Sequence, residues 1–105
     1  MKLVGVEWDE SKNARNKQEH NLSFEAAQYV FTDPLRIERI DQSENNTSKE
    51  ERWQTIGMVD KVLFVVYTER EENKRIIMAR IANKAERKSY NGYYQVNGKG
   101  WAKAT

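Results

Sequence analysis

The chain has 105 residues, with 18 Lys or Arg, 16 Asp or Glu, one His and no Cys, for a net charge of +2. That length predicts one domain around one modest core, and the missing cysteine excludes disulfides, thiolate zinc sites and cysteine nucleophiles. A lone imidazole, His20, also argues against a multi-histidine zinc centre, which leaves only carboxylate-held Mg²⁺ or Ca²⁺ as conceivable metals.

The longest apolar run, Val62 to Tyr67, is far too short to span a membrane. Acidic Glu7, Asp9 and Glu10 stand where a signal peptide needs an apolar stretch. The expected setting is therefore cytoplasmic, with no membrane contact. Charge is divided unevenly: residues 1–52 carry 8 basic and 11 acidic side chains, whereas residues 53–105 carry 10 and 5. A basic second half points to a polyanion or an acidic partner, although a solvated lysine-rich face is the plainer explanation.

Leu3–Trp8 alternates like a strand, with Val4, Val6 and Trp8 on one side. Asp9 then caps a helix running to about His20, and Asn21 suits the left-handed position that ends it. This helix is odd, because Ala14 is its only apolar residue and no stripe exists to bury. Ser23 caps a second helix whose inner side is Phe24, Ala27, Val30 and Phe31, stopped by Asp33-Pro34. Four strand candidates follow: Leu35–Asp41, Arg52–Val59 after a polar loop, Val62–Thr68 and Arg75–Ala82. The unbroken apolar run marks Val62–Thr68 as the central strand. In the last strand, plain alternation puts Ile77, Ala79 and Ile81 on one face and Ile76, Met78 and Arg80 on the other. Asn83-Lys84-Ala85-Glu86 is a capping box that opens a final helix to about Tyr90 or Asn91. Beyond it lies a glycine-bearing tail that Tyr93, Tyr94 or Trp101 can dock. The expected fold is a single α+β domain: an N-terminal strand and two helices, an antiparallel meander sheet, then a C-terminal helix. Its expected limits are 1–90, with 91–105 as the tail.

Several segments together resemble one family. They are Glu7 to Asn13, Glu19 to Ala27, Val30 to Pro34, Glu51 to Met58, Val65 to Arg70, Arg75 to Arg80 and Asn83 to Tyr90, in that order. Each is weak alone, but the ordered set is similar to BrnT-type toxins. The resemblance implies a RelE-like fold and a ribonuclease toxin of a type II toxin–antitoxin pair that inhibits translation. It also implies a BrnA-like antitoxin partner, an RNA substrate, and operator DNA reached only through the antitoxin complex. Two departures stand out: Asn21 replaces the usual glycine after the histidine, and the chain continues for 15 residues past Tyr90.

Metal-independent RNA cleavage, with no cofactor, needs a base for the 2′-hydroxyl, an acid for the leaving 5′ oxygen, and cations for the transition-state charge. His20 alone has an unperturbed pKa near neutrality, although a helix C-terminus is also an ordinary place for a histidine. Arg52, Arg70 and Arg80 lie on neighbouring strands and form a candidate cationic patch for the scissile phosphate. Salt bridges with Glu50, Glu51 or Glu69 are the competing explanation. Lys84, Arg87 and Lys88 are candidate phosphate contacts, and Tyr90 can stack on a base or fill the core. Glu86 is assigned to the capping box. The alternative function is a non-catalytic module of the same fold that binds nucleic acid or a partner in transcriptional autoregulation.

Overall fold

The computed structural model describes residues 1–42, 50–93 and 99–104, so most of the polar loop and Tyr94 lie outside the described residues. A six-stranded sheet carries helices on one face and a shorter helical segment on the other. Its elements in chain order are β1 (Val6–Trp8), α1 (Glu10–His20), α2 (Phe24–Ala27, continued by a 3₁₀ turn over Gln28–Thr32) and β2 (Ile37–Ile40). Then come β3 (Arg52–Val59), β4 (Lys61–Arg70), β5 (Asn73–Ile81), α3 (Lys84–Lys88, continued by a turn over Ser89–Tyr93 that Gly92 kinks at φ 109°) and β6 (Ala102–Lys103).

The strand order is β1-β5-β4-β3-β2-β6. Strands β2 to β5 form the expected antiparallel meander. The sheet as a whole is mixed, because β1 joins the β5 edge in parallel. Among the described residues, no helix is long and apolar enough to cross a membrane.

Local signals act as their chemistry requires. The Asp9 carboxylate accepts the Ser11 N–H at 2.8 Å, Asn21 ends α1 at φ 54°, and Ser23 Oγ accepts the Ala26 N–H. Both halves of the Asn83–Glu86 capping box form at 2.8 Å. The strand before α1 is shorter than its alternation predicts. Gly5 turns at φ 82° and the Val6 N–H donates to Leu3 O, so Val4 projects fully into solvent.

The polar helix α1 docks through amides where an apolar stripe would ordinarily serve. Asn16 Nδ2 donates to Ala79 O at 2.8 Å while its Oδ1 accepts the Ala79 N–H at 3.1 Å. That pair of bonds copies what a neighbouring strand would supply to the β5 edge beyond the end of β1. Asn13 works alongside it, accepting the Phe24 N–H and donating to Glu25 and Glu10.

The Ala79 backbone N–H and C=O point to the open edge because β5 contains one extra residue. Val66 pairs with Met78 but Tyr67 pairs with Ile76, leaving Ile77 as a bulge. The predicted face assignment is therefore corrected. Ile76 and Ala79 share the helix-packed core with Trp8, Phe24, Ala27, Val30, Leu63 and Val65. Ile77 and Met78 turn to the other face, against Ile37, Ile56, Val62, Phe64, Val66 and Trp101. On the helix side, Gly57 admits the 3₁₀ turn so closely that a Cβ there would lie 2.5 Å from Val30 Cγ2.

Replacing Asn16 by Ala should leave both Ala79 backbone groups unpaired in a buried place. The expected loss is about 2–3 kcal/mol in urea unfolding, with an unchanged m-value. A loss below about 0.5 kcal/mol would show that α1 docks by other means.

Candidate nucleic-acid interface

The sheet face opposite α1 carries five arginines, while Arg36 lies on the helix side over Phe31. Registers place Arg39 beside Gln54, Arg52 beside Thr68 and Arg75 beside Thr68 from the other side. Arg70 follows Thr68 by two residues, and Arg80 lies opposite Phe64. Alternation within β4 puts Phe64, Val66, Thr68 and Arg70 on one side, so all these arginines project from the same face. The three predicted on neighbouring strands share that face but do not form one cluster. Arg80 and Arg52 are four β4 residues apart, roughly 13 Å, and Arg70 lies about 7 Å further along.

Most of these guanidinium groups are already committed. Arg80 lies over the Phe64 ring at 4.2 Å and forks onto Glu86, with Nη1 at 2.8 Å from Oε1 and Nη2 at 2.9 Å from Oε2. A third bond runs from Nη1 to Ile81 O at 3.3 Å, so three of about five N–H donors are used. Glu86 thus serves both the capping box and Arg80, a second role that the capping signature hides. Arg70 meets Glu50 at 3.1 Å, with both side chains half exposed, and Arg75 meets Glu7 at 3.2 Å. The competing explanation of a cross-strand ion pair therefore holds for Arg70 in its Glu50 form.

Arg39, which no motif singles out, is held from three sides. It stacks on Trp101 at 4.2 Å, donates Nε to Gln54 at 2.8 Å and Nη1 to Lys99 O at 2.7 Å. Burial lowers its pKa, while the Glu86 and Asp41 carboxylates act in the opposite sense. Glu86 is therefore electrostatically coupled to both Arg39 and Arg80.

The remaining predicted residues lie on α1 and on the segment that follows β5. Glu10 lies beside Trp8, which is level with Ile76, and Asn16 lies on Ala79, so α1 runs alongside β5 in the same direction. One more turn carries His20 toward the end where α3 begins. Its Nε2 is 4.0 Å from Glu19, with 30% of its side chain exposed. Lys84, Arg87 and Lys88 are exposed on α3, and Arg87 also donates to Ala82 O at 2.8 Å. Tyr90 is half-buried against the second core, and its hydroxyl donates to Asp33 at 2.5 Å. Asp33 also accepts the Leu35 and Met58 N–H groups. Burial acts to raise the Asp33 pKa, but those three donors outweigh it and the value falls below the usual carboxylate range. Burial and the same hydrogen bond push the Tyr90 hydroxyl up to about 12.

The fold is a mixed sheet backed by α1 and α2, with an arginine-bearing opposite face. The chain belongs to the family of BrnT ribonuclease toxins of type II toxin–antitoxin systems, which it matches over residues 8–86. It is similar in fold to the crystal structure of the Brucella abortus ribonuclease toxin BrnT, with a TM-score of 0.53 and 18% identity. That likeness covers 75% of this chain and 96% of the other. Comparison with curated proteins gives no match.

The Asp33–Tyr90 bond yields a two-sided pH prediction. Asp33 is depressed, so its contribution is present above its ordinary pKa of 3.8 and lost as pH falls toward the folded value. Tyr90 is raised, so its contribution is present below 10 and lost as pH climbs toward about 12. Tyr90→Phe should cost about 1–2 kcal/mol at pH 7 and flatten the alkaline limb of stability measured by urea unfolding. An unchanged alkaline limb would remove this bond from the account.

Proposed function

We propose that this chain is a metal-independent endoribonuclease of RelE-like architecture, which cuts RNA by attack of a 2′-hydroxyl on the adjacent phosphorus. The observation that carries this reading is one sheet face with Arg39, Arg52, Arg70, Arg75 and Arg80 spread along it. Cations tracking an extended strand are what a single-stranded backbone needs. Membership of a ribonuclease toxin family supports the same reading.

Within that face, Arg80 is the group best held for transition-state charge. Its stem lies in the sheet, its plane rests on Phe64 and Glu86 fixes its fork, so little reorganisation remains at the moment of reaction. Its uncommitted N–H donors face an incoming phosphate oxygen. His20 supplies the proton transfer, and Lys84, Arg87 and Lys88 hold flanking phosphates. Arg52 and Arg70 contact the strand farther along the face. Tyr90 acts here by holding the α3 segment against Asp33. A BrnA-like, DNA-binding antitoxin covers the cationic surface and blocks RNA, and operator DNA is reached through that complex.

Cleavage should persist in excess EDTA and leave 2′,3′-cyclic phosphate ends, read by mass spectrometry of the products. An absolute Mg²⁺ requirement with 5′-phosphate ends would overturn the mechanism. Arg80→Lys keeps charge and bulk but loses the fork, so it should stay folded yet lose about 10²–10³ in cleavage rate. Full activity in that variant would make Arg80 a structural residue.

A further inference from the structure

We infer that the C-terminal segment builds a subsite for one nucleotide of the RNA strand at the β2–β6 edge. The inference rests on the ribonuclease reading and extends it to a pocket completed by Lys99, Gly100, Ala102 and Lys103, which lie past the family match ending at 86. A pocket of about 580 Å³ lies there, lined by Arg39, Trp53, Gln54, Lys99, Gly100 and Lys103 among others. That volume falls within the range of small-ligand sites.

The tail makes this pocket by specific bonds. Strand β6 pairs with Ile37 and Glu38, and the Ala104 N–H donates to Arg36 O at 3.1 Å. Trp101 is buried in the second core and offers its ring to Arg39. The left-handed turn at Lys99 and Gly100, with φ 47° and 83°, brings the Lys99 carbonyl onto Arg39. Arg39 is thereby preorganised, while Lys99 and Lys103 keep exposed ammonium groups at the rim.

The chemistry of the lining selects a nucleotide. Three cations meet one lining carboxylate, Glu38, and that carboxylate is engaged by Arg36 at 3.0 Å and by the Tyr67 hydroxyl at 2.7 Å. Asp41 close by accepts the Gln54 amide at 2.9 Å. Trp53 joins the lining from β3, where pairing with Tyr67 puts its ring on the face opposite Arg39, so the cations and not stacking set the preference for a nucleotide phosphate. Arg39 also lies on the arginine-bearing face, so a strand on that face leads directly into the pocket.

The test uses the full chain and a 2′-O-methyl RNA oligonucleotide, which binds but lacks the attacking hydroxyl. Lys99→Gln with Lys103→Gln should weaken its binding about tenfold in fluorescence anisotropy and lower the salt slope by about 1. Thermal stability and the cleavage rate at saturating unmodified RNA should stay at the wild-type level. If wild type binds and cleaves while the double variant binds equally well, the subsite is overturned and the ribonuclease reading stands. If wild type neither binds nor cleaves RNA, both fall together. Equal binding of a poly-glutamate peptide, lost in the same variant, would overturn the subsite and assign the pocket to an acidic protein partner.

Discussion

One extra residue in β5 decides where the side chains of this protein point. Before the Ile77 bulge, β5 gives its outer edge to β1, with the Lys74 N–H on Gly5 O. After it, the outward groups belong to Ala79, and Asn16 takes them. The same half-turn separates Ile76, buried among the helices, from Arg80, which lies over Phe64 on the opposite face. With unbroken alternation, Arg80 would share the face of Ile76 and point into the helix-packed core. A bulge is thus the step that turns an arginine out of one core and onto the cationic surface.

That surface is cationic but hardly any of its charge is loose. Arg70, Arg75 and Arg80 each meet a glutamate, and Arg39 is pinned by an indole, an amide and a carbonyl. These pairs differ in kind. Arg70–Glu50 is half exposed on both sides and contributes little to stability. Arg80–Glu86 is bidentate, with only 13% of the glutamate side chain exposed, and it ties β5 to α3. Its effect is positional: the bidentate pair holds the guanidinium at a fixed place and angle.

The open face is finished by chain segments far from the sheet strands in sequence. Tyr90 fastens the turn after α3 to Asp33, whose carboxylate also collects the N–H groups of Leu35 and Met58. Trp101 fills the second core, and β6 extends the sheet past β2. Residues 99–104 therefore belong to the same sheet and core as the rest of the domain. They also create the pocket around Arg39.

Local chemistry was legible from the residues alone. The caps at Asp9, Ser23 and Asn83, the left-handed Asn21, the limits of β3 and the central place of β4 all follow from short-range rules. Each depends on a backbone group meeting a side chain within a few positions, or on an apolar run that only a strand buried on both faces accepts. The polarity of α1 was legible as an anomaly but not in its cause, because Asn16 finds its partner 63 residues away. The parallel docking of β1, the bulge at Ile77 and the pairing of Glu86 with Arg80 were likewise invisible. None has a local signature: Glu86 reads as a cap whether or not an arginine lies across from it. Sequence by itself determined the caps, the order of elements through α3 and that basic residues dominate the second half, but neither β6 nor the shortened β1. Only tertiary structure decided which face the arginines share and which carboxylates hold them, because register and edge pairing are settled by packing between segments distant in the chain.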